Sequence, residues 1–153
     1  MERISKHISY KEGTRSNTAQ RLGIENTPGD YEFTNMTNIA INVFEPLRMW
    51  VGGPIRINSF YRCEDLNRAI GGSSRSQHCQ GRAMDLDDVH GHKTNAEMFK
   101  YIKENLNFDQ LIWEFGDDEN PDWIHVSYVS DDQNRKRILK AYKYNGKTKY
   151  KLI

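Results

Sequence analysis

Two segments about forty residues apart place the strongest constraint on how this chain folds: residues 76–85 (SQHCQGRAMD) and 122–128 (DWIHVSY). A catalytic zinc site takes three protein ligands, drawn from imidazole nitrogens and carboxylate oxygens, and leaves a fourth position open for water. His78 and Asp85 in the first segment and His125 in the second supply such a set. The sequence therefore predicts one metal centre that joins the two segments.

The residues around these ligands suit a closely folded site. Gly81 and Ala83 are small, as they must be if the backbone turns tightly beside an ion. Asp85 lies in an alternating stretch that is typical of a short strand, which would direct its carboxylate to one side. Cys79 directly follows the first histidine, and neighbours on an extended segment point in opposite directions. We therefore interpret Cys79 as a packing residue and not as a ligand.

The ordered motif Ser-x-His-x-x-Gly-x-Ala-x-Asp, followed by Trp-x-His, resembles the zinc D-Ala-D-Ala carboxypeptidase and L-alanyl-D-glutamate endopeptidase family. Members are cell-wall peptidases that share a fold with the Hedgehog signalling domain. The resemblance includes Ser59-Phe60-Tyr61-Arg62, Leu66-Asn67 and Gly71-Gly72, and so covers roughly positions 55–130. It implies a zinc peptidase with one ion per chain. The implied substrate is a peptidoglycan stem peptide, cut at its terminal D-Ala-D-Ala bond or at an internal bond such as L-Ala-D-Glu.

A peptidase of this kind also needs a general base, because a proton must move from the attacking water to the leaving amine. Many family members carry Glu three residues before the last histidine, where this chain has the shorter Asp122. The other candidate is Glu114, which ends the strand expected to pair with the His125 strand. The sequence favours Glu114 slightly and leaves both residues open.

Three further residues are implied to contact the substrate. Arg62 matches a family position that binds the substrate carboxylate or the carbonyl under attack, and a guanidinium is suited to carboxylates. Ser76 matches a position near the site. Trp123 alternates with His125 and should face the same side of its strand, either as a wall of the pocket or as a core residue.

Composition limits the class of protein. The chain of 153 residues predicts a single domain, 1–153, and 22 basic against 21 acidic residues give no reason to expect a nucleic-acid or membrane-surface partner. No apolar run is long enough to insert in a membrane, and the charged N-terminus has no signal-peptide core. We expect a monomer, made in the cytoplasm, that acts on the cell wall after release by another route, as an endolysin of phage does.

The order of predicted elements favours an α+β fold, with a small, mainly antiparallel sheet and helices on one side. Capping boxes at Ser9 and Thr94 predict helices to about Leu22 and Asn105. Apolar residues at a helical period from Met36 to Leu47 predict the main core helix, kinked or ended by Pro46. Strands are predicted at 55–60, 83–86, 108–115 and 123–129.

The tail at 138–153 is basic and aromatic, and its Asn145-Gly146 pair predicts a hairpin turn. We interpret it as a solvated edge hairpin, with a glycan-contacting surface as the alternative. His90 and His92 are interpreted as exposed loop residues. A non-catalytic, Hedgehog-like zinc module is the rival to the enzyme; Cys79 or His92 as a fourth ligand would favour it, because closed zinc sites are structural.

Overall fold

The computed structural model describes residues 3–153 and has the predicted α+β fold, a set of helices against a six-stranded sheet. Within this range, every helix is too short or too polar to traverse a lipid bilayer. A main core of buried apolar side chains joins the helices to one face of the sheet.

The first helical region is two helices where one was predicted. Helix α1 spans Tyr10–Thr14 and α2 spans Asn17–Leu22. The capping box at Ser9 is present, as predicted. The helix then breaks at Arg15, whose backbone is extended, and Ser16 starts the second helix with its own side-chain cap. A second N-cap inside the expected helix is the reason for the difference.

The core helix is confirmed, with an earlier start and a distorted middle. Helix α3 runs over Asp30–Ile39, a π-helical turn follows at Ala40–Phe44, and α4 covers Glu45–Val51. Pro46 lacks an N–H group, so the regular hydrogen bond at that position is missing, and the wider turn lies directly before it. The predicted apolar stripe is fully buried; its members are Met36, Ile39, Ala40, Val43, Phe44 and Leu47.

The remaining elements alternate between strands and short helices. Their bounds are β1 Arg56–Ser59, α5 Glu64–Ala69, a 3-10 turn at Gln77–Gln80, β2 Ala83–Asp87, α6 Asn95–Asn105, β3 Gln110–Glu114, β4 Trp123–Ser127, β5 Arg137–Tyr144 and β6 Lys147–Leu152. The Thr94 capping box and the Asn145-Gly146 turn are both confirmed.

The strands lie in the order β1-β2-β4-β3-β5-β6. Every neighbouring pair is antiparallel except β3 and β5, which are parallel. The mainly antiparallel sheet is thus confirmed. The parallel pairing was not predicted, because it joins segments that are distant in sequence and leaves no local signal.

The two faces of the sheet differ in chemistry. One face is apolar and fully buried beneath α3, α4 and α6; its sheet residues include Met84, Leu86, Leu111, Ile124 and Val126. Side chains alternate along a strand, so the residues between these point the other way. That second face carries Asp85, Glu114 and His125, and it forms the floor of an open cleft.

Candidate metal centre

The structure brings His78, Asp85 and His125 together. One ligand atom from each residue lies within 4.8 Å of the others. His78 comes from the 3-10 turn, while Asp85 on β2 and His125 on β4 are direct partners in the antiparallel register. Partners in register project to the same face, so strand pairing itself brings the carboxylate to the second imidazole.

The turn that carries His78 is fixed at both ends. The Ser76 hydroxyl oxygen accepts a hydrogen bond from the His78 backbone N–H at 3.3 Å. Gly81 ends the turn with φ +74°, a left-handed conformation that favours glycine. A Cβ atom there would lie 2.4 Å from the Glu32 carbonyl oxygen of α3. The small residue expected at this position is therefore required by close contact with a helix.

Hydrogen bonds also orient the imidazole rings. His78 Nδ1 donates to the Phe60 carbonyl oxygen at 2.7 Å, and this bond leaves Nε2 facing Asp85, 3.3 Å from its Oδ2 atom. His125 Nδ1 lies 3.0 Å from Asp85 Oδ1. A backbone carbonyl that fixes the second nitrogen is the usual support of a metal-ligating histidine. Two nitrogens and one carboxylate oxygen, arranged in this way, fit a zinc ion.

The charges of these groups suit a cation. Burial lowers the pKa of His78, although the nearby Asp85 carboxylate opposes this, so the imidazole favours the neutral form that binds metal. Burial alone would raise the pKa of Asp85, but the two histidines hold it well below its usual range. The centre therefore presents an anionic carboxylate at Asp85 beside an imidazole at His78 that favours the neutral form.

Glu114 is the carboxylate that the structure brings into the cleft beside this centre. It lies on β3 opposite Trp123, two residues along the strand from the partner of His125, and its exposed fraction is 7%. Burial raises its pKa to about 7; the nearby Asp85 adds to the rise and His125 opposes it. A carboxyl group whose pKa is near neutrality can both accept and release a proton under ordinary conditions.

Asp122, the other predicted base, does not reach the cleft. Its side chain is exposed, while its backbone N–H donates to the Glu114 carbonyl and its own carbonyl accepts from Asn95. Trp123 and His125 face the cleft, whereas Asp122 lies directly before β4 and is not among the residues that line the cleft. Of the two candidate bases, Glu114 is the one that lines the cleft in this structure, and Asp122 as the base stays a prediction.

The three residues expected to contact substrate all line the cleft. The Arg62 Nη2 group donates to Ser76 Oγ at 3.1 Å, which ties the guanidinium to the turn that carries His78. Arg62 Nε is buried and has no hydrogen-bond partner within residues 3–153. Trp123 packs against Phe115, with ring centroids 5.5 Å apart, and forms part of the wall.

The cleft has a volume of about 970 Å³ and extends well beyond the metal centre. Its floor crosses the sheet from β2 to β6. The far part is lined by residues of the C-terminal segment: Arg135, Arg137, Leu139, Lys143, Thr148 and Tyr150. The tail was interpreted as a solvated edge hairpin; it is an edge hairpin, but one of its faces forms a wall of the cleft.

A buried network behind His78 was missed by the sequence interpretation. Asp109, which is 1% exposed, accepts from the Arg135 Nη2 group at 2.7 Å, its Nε at 3.0 Å and its backbone N–H at 3.0 Å. The same carboxylate accepts a hydrogen bond from the side-chain amide nitrogen of Gln77, Nε2, at 2.9 Å. Gln77 directly precedes His78, so the network anchors the ligand-bearing turn. The one sequence signal was an aspartate directly after Phe108, at the start of the predicted strand.

Neither alternative ligand belongs to the centre. The metal-ligand group found within residues 3–153 has three members and does not include Cys79 or His92. His92 is exposed, and its ring lies against Gly53. Cys79 is half-buried and free, and His90 is exposed on its loop. The candidate set within residues 3–153 thus has three members, the number of protein ligands typical of catalytic zinc sites.

Comparison with known proteins agrees with this geometry. The sequence model of one family, described as Peptidase M15, matches residues 6–127. No curated protein matches the chain in a sequence search. The match covers most of the chain, includes all three metal-binding candidates and Glu114, and ends before the C-terminal hairpin. The chain therefore belongs to the Peptidase M15 family of zinc-dependent metallopeptidases.

Proposed function

We propose that this protein is a peptidoglycan hydrolase, a zinc peptidase that cuts peptide bonds in peptidoglycan stem peptides. The support is the family membership, together with the motif resemblance to cell-wall carboxypeptidases and endopeptidases. The terminal D-Ala-D-Ala bond and an internal bond such as L-Ala-D-Glu are both within this proposal. A role in wall degradation of the kind that phage endolysins have belongs to it as well.

In the proposed reaction, His78 Nε2, Asp85 and His125 Nδ1 hold the ion. Zinc, when bound, polarises the scissile carbonyl and makes a water molecule more acidic. Glu114 accepts a proton from the attacking water and passes it to the nitrogen of the leaving amine. Arg62 binds either the carbonyl oxygen or a substrate carboxylate, since its Nε has no hydrogen-bond partner within residues 3–153.

The observation that carries this proposal is the position of Glu114. A carboxylate that is buried without a counter-charge has a free-energy cost, and no salt bridge within residues 3–153 offsets that cost for Glu114. A proton-transfer role explains why such a residue faces the metal-binding group. A purely structural zinc site would need neither this residue nor an open cleft.

Bound zinc per chain and release of peptides from purified peptidoglycan test the proposal together. Wild-type protein should hold close to one zinc ion and release peptides. Glu114→Gln should retain the zinc and lose roughly 10²–10⁴-fold in the rate of release, the usual contribution of a general base. Asp122→Asn is the matched control, and it should release peptides at nearly the wild-type rate.

The outcomes separate the two predicted classes of protein. Zinc without cleavage of any wall substrate would favour the non-catalytic, Hedgehog-like module. A large loss in Asp122→Asn with an unaffected Glu114→Gln would reverse the assignment of the base. Absence of zinc from the wild-type protein would contradict both classes.

A further inference from the structure

The C-terminal hairpin, formed by β5 and β6, is the part of the cleft that the family match does not cover. It joins the sheet through parallel pairing of β5 with β3, from Gln110↔Arg137 to Glu114↔Ala141. This pairing continues the metal-bearing face outward by two strands. Any substrate long enough to follow the floor of the cleft must therefore meet the hairpin.

Strand register determines which hairpin side chains face the substrate. Leu139 is the β5 partner of Ile112, which is itself the partner of His125, so an apolar floor leads away from the metal centre. Lys143 lies further along the same face of β5, opposite Thr148 on β6. Tyr150 is the next residue on that face of β6, and it lines the cleft with Lys143.

The Lys143 ammonium group is held in place without a counter-charge. It donates to Thr148 Oγ1 at 2.9 Å and lies 5.3 Å from the centroid of the Phe115 ring. Across residues 3–153, no carboxylate oxygen lies within 4.0 Å of it. Lys140, on the opposite face of the same strand, differs in this respect, because it pairs with Asp118 at 2.5 Å.

The charges that line the cleft are unevenly distributed. The two carboxylates, Asp85 and Glu114, are both at the metal end. The C-terminal segment adds three cations to the lining: Arg135 just before β5, Arg137 at its start and Lys143 near its end. Of these, only Arg135 has a carboxylate partner within residues 3–153. Because unpaired cations raise the local concentration of anions, the hairpin end favours a negatively charged part of the substrate.

We propose that Lys143 and Tyr150 form a subsite for a carboxylate group of the peptide substrate, on the side of the metal centre away from Arg62. This inference rests on the proposed peptidase function. Lys143 supplies the charge, and the Tyr150 hydroxyl supplies a second donor. The hairpin thereby selects acidic peptides, while the matched part of the chain provides the reaction.

The spacing of the sheet sets the length of substrate that the subsite requires. Lys143 is two strands from His125 and four residues further along, which corresponds to about 16 Å between backbones at about 4.8 Å per strand and about 3.3 Å per residue. The length of the lysine side chain shortens this span. An extended peptide would therefore carry the recognised carboxylate about three to five residues from the bond that is cut, at about 3.3 Å per residue.

A set of stem peptides tests the subsite. The peptides share one sequence, and in each member one free carboxyl group is replaced by its carboxamide. For zinc-loaded wild-type protein, kcat/KM should be about fivefold lower for the member that lacks the recognised carboxyl group than for the parent peptide. This is the size expected when an exposed ion pair is lost. In Lys143→Gln that difference should disappear, mainly through KM, and Tyr150→Phe should reduce it. Lys140→Gln, the matched control on the opposite face, should keep the full difference.

Binding of the same peptides, labelled and followed by fluorescence anisotropy, separates this inference from the proposed function. A preference for the acidic peptide that depends on Lys143, but without cleavage, would support the subsite and contradict the peptidase. Cleavage with equal kcat/KM and equal Kd for all members would support the peptidase and overturn the subsite. Absence of both binding and cleavage would overturn both.

Discussion

The two ends of the cleft are built in different ways. At the metal end, His78 is 3% exposed, and each candidate ligand has at least one hydrogen-bond partner that fixes its orientation. At the hairpin end, Lys143 and Tyr150 are exposed, and few contacts hold them. Chemistry at a metal requires fixed geometry, whereas selection among peptides tolerates mobile side chains on a rigid strand. The proposed reaction and the proposed recognition of the substrate thus lie in different parts of the chain.

The largest effect should come from removal of a metal-binding residue. His78→Ala should lose nearly all bound zinc, together with activity, because two remaining ligands are too few for a protein zinc site. Metal analysis of the dialysed variant, in parallel with His92→Ala as a control, measures this. Full zinc content in His78→Ala would contradict the assignment of the centre.

The Asp109 network, which anchors the turn before His78, can be broken by one substitution. Asp109→Asn removes the charge that pairs with Arg135 and weakens the hydrogen bond that holds Gln77. We expect the free energy of unfolding to fall by about 2 kcal/mol, as for buried hydrogen bonds to charged groups. Urea unfolding measures the change. Asp65→Asn, which disrupts an exposed pair with Arg68, should change stability by less than about 0.5 kcal/mol, and equal effects would argue against the network.

The raised pKa of Glu114 should make the free energy of unfolding of the zinc-free protein depend on pH. The size of this effect should be similar to that of Asp109→Asn or smaller. Its pKa is raised from 4.5 to about 7 by burial, so between these values the folded chain holds a proton that the unfolded chain has lost. Stability should therefore fall as pH rises from 5 to 8, by at most about 3 kcal/mol from this group. In Glu114→Gln this contribution should be absent.

Urea unfolding of both proteins at pH 5 and pH 8, with chelator present, isolates the contribution of Glu114. The stability of the variant relative to wild type should be greater at pH 8 than at pH 5. A difference that is the same at both values would show that Glu114 has an ordinary pKa. Added zinc should reduce the effect, since a nearby cation favours the carboxylate.

The smallest effect should come from the tip of the hairpin. Lys147 is exposed beside the Asn145-Gly146 turn and does not line the cleft. Lys147→Gln should change both stability and the preference among peptides by less than about 0.5 kcal/mol, as for most surface substitutions. Urea unfolding measures the change in stability, and kcat/KM for the same set of peptides measures the change in preference. A loss as large as that of Lys143→Gln would mean that net charge, and not a defined subsite, attracts the substrate.

The sequence was informative wherever the signal is local. The capping boxes at Ser9 and Thr94, the stripe from Met36 to Leu47 and the Asn145-Gly146 turn each depend on neighbours within a few residues, and all are present in the structure. The early start of α3 also has a local cause, since the Glu32 carboxylate accepts from the Gly29 N–H at 3.0 Å. That signal was available and was overlooked.

The site was less predictable where it depends on distant pairing. The proximity of His78, Asp85 and His125 followed from their motif, but a choice between Glu114 and Asp122 required the register of β3 and β4. The wall formed by Lys143 and Tyr150 depends on parallel pairing of β5 with β3, which no local pattern encodes. Features set by strand order are therefore the ones that sequence alone leaves open.

The direct pairing of Asp85 with His125 also limits how the chain can change in length. Inserting or deleting one residue within β2 or β4 would move one of these side chains to the apolar face, because the side-chain period of a strand is two. Changes of length are better tolerated in exposed connections, such as residues 89–92, where no strand register is carried. Related chains should thus differ in loop length while they keep both strands free of gaps.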